Sequence, residues 1–367
     1  MSDTRWLHLF TSNIRELYTR DSLDLLAAPD GYIFRFRYQK QHVEAGTELL
    51  WRTGGLLGRS VAVYFSFQHS ANFHPAAYLP LRKGIIERVE VSGSTYIVDF
   101  KLGAYLTLED EPEEKSPAPR ANAVRQFSDQ LRSLLVEAYP DQTTTETDGS
   151  LSEKRRSATL GESPMHIIKD QGSDGERFER IVRFMAPMIA DRRPLFFRVS
   201  GMARTDNLKR QSLRNGVWEL KAGVGYTLDI SHYQVESPPE GTYLSVHLPE
   251  SLPPLGDCDL PLRSRYEMFS MRLFPPSRDA EAQGEIKITT VDTRFGPTLH
   301  LPVRILPQVS QQLVVPAVTA AGVFIVGLPA LLGEGVGMAI KVSATAIGSM
   351  LVFGGLWLRR RNGLGST

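Results

Sequence analysis

The residues able to do chemistry are few and scattered. His69 and His74 lie five residues apart in HSANFH, beside a strand-like run, with no third imidazole and no cysteine cluster to complete a ligand set. A protein metal site needs three or four donors, so no metal is expected there. GGLLGRS, Gly54 to Ser60, carries the glycines of a phosphate loop. It lacks the G-x-x-x-x-G-K-[ST] spacing, and its strand follows instead of preceding, so it reads as a turn. Cys258 is the only cysteine, which excludes an internal disulfide and leaves a passive thiol. No nucleophile, base or paired carboxylates stand out in a catalytic arrangement, and the chain reads as a non-enzyme without a cofactor.

Two positively charged features invite a binding role. Arg35 and Arg37 alternate with Tyr32, Phe34, Phe36 and Tyr38 in YIFRFRYQ. Arginines and rings in that order could contact phosphates and stack on bases of a single-stranded nucleic acid. The simpler account turns the rings inward and leaves the arginines in water, so nucleic acid is a weak candidate partner and Arg35 and Arg37 mark a candidate ligand surface. Lys154, Arg155 and Arg156, and the group Arg204, Lys209, Arg210 and Arg214, could meet an anionic ligand or inner-leaflet lipid. Solvated surface is the default for both. Overall charge gives no further lead, because 42 Lys+Arg stand against 41 Asp+Glu and no global field draws the protein to polyanions.

The carboxy-terminal stretch carries the strongest signal. From Ile305 to Gly333 no side chain ionises. Its apolar part, 313–333, is about 21 residues, roughly 30 Å at helical rise and enough to span a bilayer. A second run, about 336–358, is apolar apart from Lys341, and it ends in Trp357, Arg359, Arg360 and Arg361. An interfacial tryptophan followed by arginines anchors a span at its cytoplasmic end. Only Gly333, Glu334 and Gly335 separate the runs, so they read as an antiparallel transmembrane hairpin. Both the amino-terminal part and the carboxy terminus are then expected in the cytoplasm, at the inner (plasma) membrane. Glu334 sits at the turn. Lys341 lies about two turns into the second span, where it either snorkels to water or faces a polar path between subunits. The small residues Ala317, Ala321, Ala344 and Gly348 permit close helix packing.

The preceding residues must fold around something else. YIFRFRYQ and VAVYFSFQ alternate with period two, and GIIERVEVSGSTYIVDFKL, Gly84 to Leu102, reads as a hairpin turning at Ser92, Gly93 and Ser94. A helix is predicted from about Ser12 to Ala27, giving a β-rich domain over 1–108 in the form of a small barrel or sandwich. EDEPEEKSPAPR breaks that pattern. An amphipathic helix follows through Val124, Phe127, Leu131, Leu134, Leu135 and Ala138, and then a mobile polar loop, Asp141 to Pro164, closes a linker region spanning 109–164. A further amphipathic helix, Glu176 to Ile189, leads into seven strand-like runs that suggest a β-sandwich lobe over 165–308. Residues 309–367 hold the hairpin and basic tail. The chain's amino terminus carries charges and no signal-like apolar run, in keeping with a cytosolic start.

The expected architecture is therefore a mainly β cytosolic part followed by a transmembrane helical hairpin. The expected role is a sensor–effector that binds a small ligand or cytosolic protein, self-associates and perturbs the lipid bilayer. Bacterial defence systems use that layout, an analogy of architecture only. The alternative is a static membrane-tethered scaffold or binding module.

Overall fold

The structure is a computed structural model. It describes residues 5–13, 15–68, 75–108, 124–133, 158–162, 168–169, 173–189, 194–234, 237–278, 280–291, 296–307 and single helical positions at 346–347, 349–350 and 352. Along the chain run β1 (Trp6–Ser12), α1 (Glu16–Ala27), β2 (Ile33–Gln39), α2 (Glu48–Thr53), β3 (Ser60–Gln68), β4 (Pro75–Ser92), β5 (Thr95–Tyr105) and β6 (Thr107–Leu108). They are followed by α3 (124–133), β7 (Ala158–Gly161), β8 (Ile168–Lys169) and α4 (Asp174–Met188). The rest is strand: β9 (Phe196–Arg204), β10 (Arg210–Gln211), β11 (Trp218–Lys221), β12 (Tyr226–Tyr233), β13 (Tyr243–His247), β14 (Asp259–Pro261), β15 (Tyr266–Leu273), β16 (Ala282–Val291) and β17 (Thr298–Leu306). The fold is mainly β, with curled sheets and few helices.

The first sheet has the order β2-β5-β4-β3-β1-β7. In β2 the period-two pattern does what its composition dictates: Phe34, Phe36 and Tyr38 are buried while Arg35, Arg37 and Gln39 face out. Phe36 lies edge-on to Phe100 of β5, with centroids 5.7 Å apart. The β4–β5 hairpin closes where Ser92 faces Thr95, across Gly93 at φ 60° and Ser94. Register shifts at Val63/Tyr64, Arg82/Gly84 and Ile86/Arg88 bend these long strands, since each added residue increases local twist. The concave face packs Phe10, Tyr64, Tyr78 and Phe127 into one cluster, which places α3 of the linker against the sheet.

Two local readings need correction. The helix predicted from Ser12 begins at Glu16, and the residues before it form β1. That strand runs parallel to β3 in the sheet interior and is buried on both faces, so it shows no alternation of apolar and polar residues. The polar loop placed at Asp141 to Pro164 contains a strand: β7 pairs antiparallel with β1, and Leu160 N–H donates to Glu44 Oε2 at 2.9 Å.

Two further sheets follow, β10-β9-β12-β15 and β11-β17-β16-β13-β14. They contain all seven strand-like runs of the carboxy-terminal half. Leu228, Ile230, Phe197, Ile286, Ile288 and Leu301 are fully buried on them. Asp24 of α1 accepts a 2.8 Å hydrogen bond from the backbone N–H of Thr298, the first residue of β17.

One compact unit comprises residues 1–220, 224–276 and 282–305, and a second comprises 221–223, 277–281 and 306–367. Among the described residues no helix is long and apolar enough to cross a membrane. The hairpin read at 313–333 and 336–358 lies almost wholly outside the described residues. At its few described positions the backbone is helical, with Ile347 and Met350 exposed.

Candidate functional site

A glycine inside a strand draws attention to β9, FFRVSGMAR. Opposite it on β12, Asp229 faces Gly201 and Ile230 faces Val199, so Ser200 is the extra residue of a β-bulge. Gly201 supports the bulge at φ 141°, a region that residues with a Cβ rarely enter. Bulges re-aim side chains. Here the Ser200 Oγ is buried without a hydrogen-bond partner among the described residues.

Arg198 stands two residues earlier on the same strand. Its Nε donates to Ser231 Oγ at 3.2 Å, and its Cζ lies 5.8 Å from the Phe178 ring centroid. Its Nη2 reaches the first turn of α4 so closely that a Cβ on Gly175 would approach it to 3.1 Å. That helix begins with a capping box. Ser173 Oγ accepts from Glu176 N–H at 3.3 Å, and Glu176 Oε2 accepts from Ser173 N–H at 2.8 Å, which settles two of the helix's orphan donors.

Beside these groups opens a cleft of about 240 Å³. Arg198, Ser200 and Gly201 form one wall, with Arg210 and Gln211 of β10 next to them. The buried Trp218 also lines it, as do Pro29, Asp30 and Tyr105. Asp30 and Tyr105 are tied to Arg82, whose side chain is fully buried. Its guanidinium donates to Gly103 O at 2.8 and 2.6 Å, to Ala28 O at 2.8 Å and to Asp30 Oδ1 at 2.5 Å. It also lies 4.1 Å from the Tyr105 ring centroid, while the Tyr105 hydroxyl donates to Leu26 O at 2.6 Å. Burial raises the Tyr105 pKa, partly opposed by Arg82 and Arg198. The phenol therefore stays a neutral donor.

The acids of the cleft are already engaged. Asp30 holds Arg82, and Asp174 sits 3.7 Å from Arg177 Nη1. Arg198 and Arg210 form no ion pair among the described residues, whereas each of the two acids beside them has another arginine as its partner. Ser200 has no hydrogen-bonded base to activate it, and the arrangement suits binding more than nucleophilic attack.

The residues singled out from sequence fall elsewhere, with one exception. Arg35 is clamped by Asp99, Nε to Oδ1 at 2.6 Å and Nη2 to Oδ2 at 2.7 Å, a bidentate pair across β2 and β5. Arg37 is exposed, and the rings beside it face the core, where no base could stack on them. Arg204 pairs with Asp206 and Arg214 with Glu219, whereas Arg210 of that same basic group reaches the cleft. Gly54 ends α2 in the left-handed conformation at φ 72°, as a turn residue does. Cys258 is half-buried, and burial, then Asp259 and Asp257, push its thiol pKa up. His69, His74, Lys154, Arg155 and Arg156 lie outside the described residues, as do Ala317, Ala321, Glu334, Lys341, Ala344, Gly348, Trp357, Arg359, Arg360 and Arg361. Among the described residues no three His, Cys, Asp or Glu side chains are grouped as metal ligands would be.

No known family model matches the chain, and no curated protein matches it. Among solved structures it is similar to a Vibrio cholerae protease, VesB, at 8% identity and a TM-score of 0.19, covering 68% of this chain and 89% of that one. So slight a likeness assigns neither fold nor activity.

In the sequence the cleft residues Arg198, Ser200 and Gly201 each read as an ordinary member of a strand. The signal is the Ser-Gly pair inside the strand-like run FFRVSGMAR, since a glycine within a strand marks a bulge or a close approach.

Proposed function

We propose that this protein is a membrane-anchored sensor–effector. Its β-rich part, a barrel-like first sheet with a sandwich-like second lobe, binds a ligand or partner at the cytoplasmic face and self-associates. The carboxy-terminal hairpin then perturbs or permeabilises the bilayer. The observation that carries this reading is the uncharged run from Ile305 to Gly333, followed by a second apolar run that ends in Trp357 and three arginines. Additional support comes from β17, which is hydrogen-bonded along its length to β16 and ends at Leu306, seven residues before the first apolar span begins at Leu313. A change in the sheet's assembly would reach the hairpin through a short connection.

The test is dye or ion leakage from cells producing the full chain, compared with a chain truncated after Leu306 and with Lys341→Leu. Leakage that requires the hairpin and changes with Lys341→Leu supports an effector. Membranes that stay intact under every condition, with the truncated chain merely released into the soluble fraction, would leave a tethered binding module.

A further inference from the structure

We infer that the cleft beside the β9 bulge binds the oxyanion, phosphate or carboxylate, of a small ligand, held by Arg198, Arg210 and the hydroxyl of Ser200. The inference deepens the sensor reading by naming the chemistry of its ligand, and it rests on that reading only for the link to the membrane.

Three independent features converge. The first is charge. The two acids of the cleft are paired with Arg82 and Arg177, so Arg198 and Arg210 are left to face an occupant. Arginine presents a planar fork of donors matched to carboxylate and phosphate oxygens.

The second is the placement of Arg198 against the first turn of α4. A helix amino terminus carries partial positive charge, and a guanidinium beside it is unfavourable unless an anion lies between them. Asp174 and Glu176 in that turn offset part of this, but the Asp174 carboxylate is 3.7 Å from Arg177 and Glu176 is engaged in the capping box.

The third is Ser200. A strand ladder would have buried its neighbours and left its position regular. The bulge makes Ser200 a lining residue of the cleft, with its Oγ buried and unpartnered among the described residues. A buried hydroxyl without a partner costs stability that a ligand acceptor would recover.

Size narrows the class. About 240 Å³ is roughly eight water volumes, room for an anionic group and the first part of the molecule attached to it.

The experiment uses the full chain in phosphatidylcholine nanodiscs at fixed ionic strength, with calorimetry and thermal melting as readouts. The probes are inorganic phosphate, adenosine monophosphate and water-soluble short-chain phosphatidate. Saturable binding of at least one is expected, weakened about tenfold or more by Arg210→Gln and by Ser200→Ala, and more by Arg198→Gln than by Arg198→Lys. Arg210 is exposed, so its replacement tests the site even if changes at Arg198 disturb folding. Binding of phosphatidate alone would assign the site to lipid headgroups, and binding of the soluble anions would assign it to metabolites. Either supports the site. Absence of binding by all three probes, or equal affinities for the parent, Arg210→Gln and Ser200→Ala proteins, would overturn it. Leakage is read separately. Anion binding without leakage under any condition would count against the effector reading and leave this site standing.

Discussion

Replacing Asp24 with asparagine should make the folded β-rich part more stable above neutral pH and leave it almost unchanged in mild acid. Asp24 projects from α1, where its Oδ1 accepts from Thr298 N–H. Burial raises its pKa from 3.8 to about 7. The Thr298 hydrogen bond and Arg20 oppose the rise, and Asp21 adds to it. The Tyr32 hydroxyl is pushed up to about 12 by burial first and then by Asp24 and Glu285. Because the folded pKa lies above the unfolded one, the native state holds the proton more tightly between about pH 4 and 7. Stability must therefore fall as pH rises through that window, and the full cost remains above it. At about 1.4 kcal/mol per tenfold change, that cost is on the order of 4 kcal/mol at pH 8. Asparagine keeps the acceptor for Thr298 and cannot ionise. Its amide N–H₂ needs a new partner, so a net gain of about 2–4 kcal/mol is expected at pH 8, shrinking toward zero near pH 4. His8 contributes the opposite slope: burial lowers it to about 4, so acidification from pH 6.5 downward destabilises the fold. The two slopes partly cancel in the parent protein. The difference between parent and Asp24→Asn removes the His8 contribution and isolates Asp24. Urea unfolding of the full chain in mild detergent, followed by tryptophan fluorescence from pH 4 to 8, measures it. Parallel pH profiles for the two proteins would refute the assignment of Asp24 as a buried, proton-holding group.

Other expectations follow from the same geometry. Arg82→Met should cost about 3 kcal/mol or more by stranding Gly103 O, Ala28 O and Asp30; Arg82→Lys should fall between, and denaturant midpoints decide it. Gly201→Ala adds a Cβ that meets nothing within 4 Å, so its cost is conformational, about 1–3 kcal/mol. Gly216→Ala has φ 76° and would also place its Cβ 2.6 Å from Ile33 Cγ1, so its melting temperature should fall further; equal losses would show that packing at Gly216 is not limiting. His8→Asn should flatten the acid side of the pH profile below 6.5, where burial now keeps the imidazole neutral; an unchanged acid limb would place that sensitivity elsewhere.

Much of the strand content was legible because a half-buried strand writes its orientation into every second residue. YIFRFRYQ alternates, and Phe34, Phe36 and Tyr38 are the residues that turn inward. The β4–β5 turn at Gly93 and the apolar face of α4 were equally local, resting on a glycine at positive φ and on helical spacing. β1 was not legible, since a strand buried on both faces has no alternation to read. Nor was β7, a short strand in a polar stretch whose order comes from pairing with β1 and from Glu44.

The candidate site lay beyond the reach of any local pattern. Arg35 looked like a ligand-facing arginine, and only the pairing of β2 with β5 brought Asp99 within 2.6 Å to occupy it. Arg210 looked like one of several solvated charges, and only the fold distinguished it from Arg204 and Arg214 by giving those two their carboxylates. The cleft joins Asp30, Tyr105, Arg198, Arg210 and Trp218, residues separated by up to nearly two hundred positions. Sequence alone determines periodicity, turns and the long uncharged run near the carboxy terminus, because these depend on neighbours along the chain. Which charges remain free for a ligand depends on partners brought together across sheets, and only tertiary structure decides that.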